Sequence, residues 1–195
     1  MSQHHISTVI LAGGLGTRIG GDKALQLLRG RPLIDWVLEA VAPQSGEVLI
    51  NANAHAATFA ARGCRVIADH LPDSAGPLAG VQAALRAARC DWVASVPCDT
   101  PFLPADLIAK LFAAIGSNEA AVAVVEGRRQ PAVALYRKDV LPKLDALLEN
   151  GGRKVGAWLD TLRLSEVVFD DPAAFININS LQDLAQASQP TQTLP

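Results

Sequence analysis

The sequence predicts an α/β domain whose mostly parallel central sheet is covered by helices on both faces. Short apolar segments of β character alternate with segments of helical periodicity, as at 6–11, 33–41 and 47–53, and the links between them are long enough for parallel crossovers. The chain has 195 residues, of which 50% are hydrophobic. We therefore expect a single Rossmann-like, three-layer α/β/α sandwich over residues 1–188, followed by a frayed tail at 189–195.

Charge and cysteine content limit the partners of the protein. The formal net charge is −2, so we expect no binding of nucleic acid and favour a small anion as the partner. Cys64, Cys90 and Cys98 lack a Cys-x-x-Cys spacing, which favours reduced thiols. The residues from Met1 onward do not resemble a leader, and no apolar run reaches membrane-spanning length. We expect a soluble, cytoplasmic monomer.

The first predicted strand, at 6–11, runs into a glycine-rich stretch that we interpret as a phosphate cradle. Three glycines allow sharp turns and leave backbone N–H groups free for phosphate oxygens, namely Gly13, Gly14 and Gly16. Arg18 and Lys23 add the positive charge that a triphosphate requires. The alternative is a simple strand-ending turn at Gly13-Gly14, but such a turn has no use for two cations at its exit.

Apolar residues at helical spacing separate the predicted strands. They predict helices at 33–41, 54–62, 81–89, 107–115 and 140–148. Pro32 suits the first turn of one helix, and Pro77, within the turn Gly76–Gly80, suits the start of another. These helices supply the crossovers that a parallel sheet needs.

Polar residues stand at the exits of two strands that follow the glycine stretch. The β segment at 47–53 carries Asn51 and Asn53 at its exit, and the strand at 64–69 ends on Asp69. Ligands of open parallel sheets bind beyond the carboxyl ends of the strands, so Asn51 and Asp69 are placed for binding. Asn53 serves equally well as a turn former.

The fourth strand, at 91–96, runs directly into Pro97-Cys-Asp-Thr-Pro101. The two prolines restrict the backbone, so the carboxylate of Asp99 can be held where Mg²⁺ would bridge it to phosphate oxygens. The alternative role of Asp99 is a helix N-cap, although Asp106 stands closer to the next helix. Cys98 fits a small buried side chain, because no histidine lies nearby in sequence to activate it.

The second half of the chain predicts an antiparallel pair. β segments at 120–125 and 132–136 are joined by 126–131, a link too short for a parallel crossover, so the sheet is predicted to be mixed. Arg128 and Arg129 at the tip of this link are either solvated turn charges or anion ligands.

Two cations open the helix that is predicted from residue 153. Arg153 and Lys154 oppose the helix dipole there, so a function in binding is one explanation of their position.

The chain closes with a strand at 165–169 and a polar segment at 174–180. Alternation predicts that Ile176 and Ile178 face one way, whereas Asn177 and Asn179 face the other and offer an edge to a hydrogen-bonding heterocycle. Beyond them, Ser180 and Asp183 have the spacing of a capping box and predict a final helix.

Together these motifs resemble the nucleoside-diphosphate-sugar-type nucleotidyltransferases and, within them, the molybdenum cofactor guanylyltransferase family. The resemblance covers nearly the whole chain. It rests on Leu11-Ala-Gly-Gly14, Gly16-Thr-Arg18, Gly20, Asp22-Lys23, Gly30-Arg-Pro-Leu33, Asn51-Ala-Asn53, Asp69, Gly76-Pro-Leu-Ala-Gly80, Pro97–Pro101, Gln130-Pro131 and Phe175-Ile-Asn-Ile-Asn179. The Pro-Cys-Asp-Thr-Pro and Asn-x-Asn segments carry the narrower assignment.

The resemblance implies the fold of the nucleotide-diphospho-sugar transferases and transfer of GMP from GTP to molybdopterin. Positions that match the GTP site are Leu11, Ala12, Gly13, Gly14, Lys23, Asn51, Asp69 and Asp99. Arg18, Lys23 and Asp99 are the expected catalytic residues, with Mg²⁺ on Asp99. Asn177 and Asn179 match positions on the pterin side, where Arg128, Arg153 and Lys154 are weaker candidates. The GTP half would span about 1–100 and the pterin half about 101–188.

Several readings remain open at this point. The family implies molybdenum-insertion and cofactor-chaperone proteins as partners. Cytidylyl transfer to the same pterin and nucleotidyl transfer to a sugar phosphate are related activities, and a nucleotide-binding regulator without turnover is a different class. The residues Ala12-Gly-Gly14, where many cytidylyl enzymes have Ala-Ala-Gly, favour the guanylyl activity.

Overall fold

A seven-stranded mixed sheet forms the centre of the protein in the computed structural model, which describes residues 5–13, 23–70 and 76–188. Its strands are β1 (Ile6–Leu11), β4 (Glu47–Asn51), β5 (Arg65–Ile67), β6 (Trp92–Pro97), β7 (Ala120–Val125), β8 (Arg128–Arg137) and β9 (Leu164–Phe169). A small antiparallel hairpin adds β2 (Leu27–Leu28) and β3 (Arg31–Pro32).

The strand order is β5-β4-β1-β6-β8-β7-β9, and only β8 runs antiparallel to its neighbours in this sheet. The carboxyl ends of the other strands therefore share one edge. The predicted mixed sheet is confirmed, but the predicted link at 126–131 is too long. Only Glu126 and Gly127 turn the chain, at φ of 48° and 72°, because the hairpin turn that matches strand twist has positive φ at both residues. Arg128 and Arg129 lie in the β-ladder instead of at a loop tip.

Helices cover both faces of the sheet, as the alternation of elements predicts. They are α1 (Leu33–Val41), α2 (Ala56–Ala60), α3 (Pro77–Ala87), α4 (Leu107–Ile115), α5 (Leu141–Glu149), α6 (Val155–Leu159) and α7 (Leu181–Ser188). Buried side chains of α1, α2 and α4 share one core, and those of α3, α5 and α6 share the other. Within the described ranges, no helix has the length and apolar character needed to cross a membrane.

Both faces of the central strands are buried, which explains their nearly continuous apolar sequences. Ile10 of β1 packs in the core beneath α1, whereas its neighbour Val9 packs beneath α3, and neither side chain is exposed. The predicted bounds of α1 and α4 are confirmed. α3 begins four residues before the predicted 81, because Pro77 occupies its first turn.

A third, smaller core fixes the C-terminal segment beside the sheet edge. Ile178 packs with Leu28 and Leu33, and Leu184 of α7 covers them. The predicted common orientation of Ile176 and Ile178 is wrong, since Ile176 is 50% exposed and Ile178 only 1%. A 3₁₀ helix over Pro172–Phe175 precedes them, so the segment does not alternate as a strand would.

The start of α7 has the reciprocal bonds that its sequence predicts. The Asp183 N–H donates to Ser180 Oγ (3.1 Å), and the Asn179 N–H donates to Asp183 Oδ2 (2.8 Å). The backbone bond from Asn179 is the main cause that lowers the pKa of Asp183. The residues just before α7 are thus held by the helix start.

Glu119 ties together the end of the sheet that lies opposite the strand exits. Its carboxylate accepts from the Arg163 N–H (3.0 Å) and from Lys143 Nζ (2.7 Å), and its side chain is 12% exposed. The backbone bond from Arg163 is the main cause that lowers the pKa of Glu119. The carboxylate thereby joins α5 to the start of β9.

We expect Glu119→Gln to lower the free energy of unfolding by about 1–3 kcal/mol at pH 7. The glutamine amide has one neutral acceptor oxygen, whereas the carboxylate accepts the bonds from Arg163 and Lys143 with two charged oxygens. A lowered folded-state pKa contributes stability above the unfolded pKa of about 4.3, and this contribution is lost as pH falls through the folded pKa. Denaturant unfolding at pH 7 and pH 3.5 measures the free energy of unfolding of each variant and of wild type. The difference from wild type should shrink at the lower pH, whereas Glu39→Gln, whose side chain is 65% exposed, should change little at either.

Candidate active site

Backbone hydrogen bonds hold the exits of the parallel strands together. The Ala12 N–H donates to Asn51 O (2.8 Å), the Ala52 N–H to Ile67 O (2.9 Å), and the Cys98 N–H to Leu11 O (3.2 Å). Each bond extends the parallel pairing beyond the assigned strand ends. Leu11, Ala12 and Gly13 therefore leave β1 between the residues that leave β4 and β6.

Two asparagine amides fix the carboxylate of Asp69 on one side of this edge. Asn51 Nδ2 donates to Asp69 Oδ1, and Asn53 Nδ2 donates to Asp69 Oδ2, each at 2.8 Å. The Asp69 N–H donates in turn to Asn53 Oδ1 (2.9 Å). Every oxygen of this carboxylate is thus oriented by a different residue, and each keeps further lone pairs for a ligand.

Two glycines touch the Asn51 side chain, and the space at one of them, Gly80, admits no side chain. A Cβ on Gly13 would stand 3.3 Å from Asn51 Oδ1 and 3.8 Å from Asp69 Oδ2, so this glycine borders the amide–carboxylate cluster. A Cβ on Gly80 would stand 2.3 Å from Asn51 Oδ1 and 2.7 Å from Leu11 Cδ2, well inside contact distance. The first turns of α3 can therefore approach the strand exits only without a side chain at Gly80.

Lys23 and Asp99 form an ion pair on the other side of the edge, beyond β6. Their side chains are 19% and 15% exposed, and Lys23 Nζ also donates to Asn179 Oδ1 (2.5 Å). The ammonium contacts Asp99 Oδ2, whereas the buried Asp99 Oδ1 has no hydrogen-bond partner among the described residues. A buried carboxylate oxygen without a donor is costly unless a ligand satisfies it, so this oxygen is a candidate position for a ligand, and the assignment of Mg²⁺ to Asp99 stays a prediction.

The segment 177–179 crosses directly over this ion pair. Thr100 Oγ1 donates to Asn177 Oδ1 (2.8 Å), and the Ile178 N–H donates to Asp99 O (2.8 Å). The structure thus brings Asn177 and Asn179 to the same loop as Asp99, but their amide oxygens have different protein partners. Each amide oxygen thus accepts from a protein donor, and the assignment of the two asparagines to the pterin side stays a prediction.

Part of the predicted phosphate cradle lies outside the described residues. The cradle residues concerned are Gly14, Gly16, Thr17, Arg18, Gly20 and Asp22. The loop at 71–75 and the predicted tail at 189–195 also lie outside the described residues. The assignments of Gly14 and Arg18 therefore stay predictions. Lys23, where the described chain resumes in a 3₁₀ helix, is at the site.

The three weaker pterin-side candidates and Arg129, which the sequence left open as a turn charge or an anion ligand, divide into two kinds. Arg129 donates to Glu166 Oε1 (2.7 Å) and Asp160 Oδ1 (2.6 Å), and these bonds raise its pKa. Arg153 Nη1 donates to Leu148 O (2.8 Å) and Gly152 O (2.7 Å) beyond the end of α5. These two guanidinium groups have structural partners.

Arg128 and Lys154 are exposed, as Arg129 and Arg153 are, but their side chains make no ion pair among the described residues. Lys154 immediately precedes α6, and Arg128 lies at the start of β8, beside the turn to β7. Their side chains remain available to an anion from solvent, so their assignment stays a prediction.

Sequence reasoning missed the roles of two residues inside motifs that it had singled out. Thr100 supplies the hydroxyl that Asn177 accepts, and Gly80 makes room for Asn51. Thr100 is 2% exposed, and its place between Asp99 and Pro101 was the available signal. Asn53, which was left open as a turn former, is the partner that orients Asp69.

The chemistry of this edge identifies the class of protein. Three features of this edge suit a nucleoside phosphate with a divalent cation. They are the strand ends that glycines leave accessible, the oriented carboxylate of Asp69, and Lys23 beside the Asp99 carboxylate. Their position, beyond the carboxyl ends of parallel strands, is where open α/β sheets bind nucleotides. The fold and the site define a nucleotide-binding α/β domain of the nucleotidyltransferase class.

Comparison with known proteins agrees with this class and narrows it. The MobA-like NTP transferase domain matches residues 8–165. A molybdenum cofactor guanylyltransferase of Burkholderia orbicola is 48% identical over 192 residues, which cover 92% of this chain and 94% of that protein. The corresponding protein of Cupriavidus pinatubonensis is 44% identical over 192 residues, with 94% and 96% covered. The chain belongs to the MobA-like NTP transferase family, among the molybdenum cofactor guanylyltransferases.

A solved structure supports the same assignment. The crystal structure of molybdopterin-guanine dinucleotide biosynthesis protein A from Archaeoglobus fulgidus superimposes with a TM-score of 0.77 at 26% identity. The match covers 93% of this chain and 96% of that one. The similarity therefore extends over both halves of the sheet, including the strands that follow β6.

We expect Gly80→Ala to lower Tm and to weaken nucleotide binding, because its Cβ would displace Asn51 and, through it, Asp69. Overpacking of this kind costs about 1–3 kcal/mol. Gly156→Ala in α6 is the matched control, since a Cβ there meets nothing within 4 Å, and alanine favours a helix. Thermal unfolding compares the two variants. Equal Tm values would contradict the steric role of Gly80.

Proposed function

We propose that the protein transfers GMP from GTP to the terminal phosphate of molybdopterin, which yields molybdopterin guanine dinucleotide and pyrophosphate. The names of the relatives support both substrates. The observation that carries the proposal is the free oxygen of Asp99 beside Lys23, because this pair offers a cation position and a phosphate ligand at one point of the sheet edge.

The strand order supports one direction for GTP along the edge. Asp99 follows β6, and Asp69 follows β5, three strands away in the order β5-β4-β1-β6. This separation amounts to about 14 Å, which is comparable with an extended nucleoside triphosphate. In our proposal the phosphates lie at Lys23 and Asp99, and the nucleoside lies toward Asn51 and Asp69. Leu11, Ala12 and Gly13 lie between them, and we assign Gly14, the next residue in the sequence, to the same phosphate loop.

Asp99 is the proposed ligand of Mg²⁺. No cluster of three acidic, histidine or cysteine side chains occurs among residues 5–13, 23–70 and 76–188. The donor set still fits Mg²⁺, which commonly uses one or two carboxylates and completes its shell with phosphate oxygens and water. When bound, Mg²⁺ would neutralise phosphate charge and favour the departure of pyrophosphate.

Lys23 and Arg18 are the proposed cationic residues of the transfer. Both substrates are anions, so the main tasks of the protein are to orient them and to offset their repulsion. Lys23, which pairs with Asp99, would offer its ammonium to the phosphates. A terminal phosphate of molybdopterin is already ionised near neutral pH, so the residues need not supply a general base.

The acceptor is proposed to bind on the side formed by residues 101–188. Five residues are assigned there, namely Asn177, Asn179, Arg128, Arg153 and Lys154. The exposed Arg128 and Lys154 are free to approach the pterin phosphate. We further propose that the protein is a cytoplasmic monomer that receives molybdopterin from, and passes its product to, proteins of molybdenum insertion and cofactor delivery.

We expect GTP to be used in preference to CTP by at least about tenfold. The protein is incubated with equal concentrations of both nucleotides, Mg²⁺ and molybdopterin, and the dinucleotide is identified by mass spectrometry. Preferred use of CTP would indicate a cytidylyltransferase. Transfer to a sugar phosphate instead of the pterin would indicate the sugar-nucleotide class, and nucleotide binding without any transfer would indicate a regulator.

We expect Asp99→Asn to reduce GMP transfer by at least about a hundredfold and to weaken its dependence on Mg²⁺, because the amide keeps the shape but not the charge of the ligand. Initial rates are measured across a Mg²⁺ titration. Asp106→Asn is the matched control, since Asp106 is exposed and pairs with Lys110 at 2.9 Å. An Asp99→Asn protein with the wild-type rate would remove the metal assignment.

A further inference from the structure

We infer that Asn177 and Asn179 are positioning residues of the nucleotide side of the site. Together with the intervening Ile178, they hold Lys23 and the loop that carries Asp99. The segment expected to face the acceptor would therefore also set the affinity for the nucleotide. This inference rests on the proposed function for the identity of the nucleotide alone, because the contacts that carry it lie within the chain.

Three hydrogen bonds connect the segment to the nucleotide side, and each uses a different group. Asn177 Oδ1 accepts from Thr100 Oγ1 (2.8 Å), the Ile178 N–H donates to Asp99 O (2.8 Å), and Asn179 Oδ1 accepts from Lys23 Nζ (2.5 Å). A lysine ammonium has donors only, so the oxygen of Asn179 has to face it. The amide nitrogen of Asn179 is then left for other ligands.

The segment is anchored well enough to position its neighbours. Ile178 is 1% exposed and packs with Leu28 and Leu33. On its other side, the Asn179 N–H is held by Asp183 at the start of α7. The side chain of Asn179 therefore extends from a backbone that is fixed on both sides, which is what a positioning role requires.

Lys23 depends on this arrangement because two acceptors determine where its flexible side chain lies. Asp99 supplies charge, and Asn179 supplies direction from a part of the chain 156 residues away. Without the amide, the ammonium keeps its attraction to Asp99 but loses a fixed orientation. The hydrogen bond from Lys23 to Asn179 involves a charged donor. We expect its loss to raise the Kd for a phosphate that Lys23 contacts about tenfold.

The same reasoning applies to Thr100 and Asn177. The Thr100 hydroxyl is buried next to Asp99 and donates to an amide oxygen of the crossing segment. Together with the backbone bond of Ile178, it joins the Asp99 loop to the segment at consecutive residues. A change at Asn177 would therefore reach Asp99 through the loop and not through the acceptor.

The first experiment measures GTP binding with Mg²⁺ by calorimetry, in the absence of molybdopterin, on the full chain. We expect Asn179→Ala to raise Kd about tenfold. Asn150→Ala is the matched control, because Asn150 Nδ2 only donates to Ala146 O (2.8 Å) at the exposed end of α5, and its Kd should equal that of wild type. A residue that serves the acceptor alone would leave the Kd of Asn179→Ala unchanged, and this result would overturn the inference.

A double-mutant cycle tests the second contact. Asn177→Ala and Thr100→Val each remove the same hydrogen bond, so the double variant should bind GTP no more weakly than the weaker single variant. Independent, additive losses would refute a shared positioning role.

Hydrogen exchange of the peptide that contains 98–100 provides a readout without any ligand. Exchange should be faster in Asn177→Ala and Asn179→Ala than in wild type, and equal rates would overturn the inference. If the proposed function is wrong, the wild-type protein itself does not bind GTP or does not transfer GMP. This result is distinct from an unchanged Kd or exchange rate in the variants.

Discussion

The ion pair between Lys23 and Asp99 is the interaction on which the arrangement of the site depends. It joins residues 76 positions apart, one just beyond the glycine stretch and one at the exit of β6. A partly buried carboxylate needs a cation nearby, and a partly buried ammonium needs acceptors. The Lys23–Asp99 pair meets both needs through one carboxylate oxygen, and the other oxygen has no hydrogen-bond partner among the described residues.

The two sides of the sheet edge differ in how firmly their polar groups are held. Asp69 is oriented by two amides and takes part in a reciprocal bond with Asn53, so this side presents a rigid surface. Lys23 has a long flexible side chain, and its position depends on residues from the C-terminal segment. One side of the edge is thus held by residues that follow neighbouring strands, whereas the other is held by a contact with the C-terminal segment.

Sequence reasoning located the strand exits and most of the candidate site because these signals are local. Asn51, Asp69 and Asp99 each follow an apolar strand, and parallel strands bring such exits to one edge. It failed for Ile176, because the preceding 3₁₀ helix interrupts the alternation of a strand. It could not separate structural from functional roles for Arg129 and Arg153, whose partners are distant acidic side chains or carbonyls at a helix end.

The sequence by itself determined the fold class, the mixed sheet, most helices and the residues that leave each strand, because hydrophobic period, proline and glycine act over a few neighbouring residues. Only the tertiary structure decided which of those residues meet. Lys23 pairs with Asp99 and Asn179, and Gly80 faces Asn51, across separations that no local pattern encodes. The same packing turned Asn177 toward Thr100 and Asn179 toward Lys23, since burial of Ile178 fixes the direction of both neighbours.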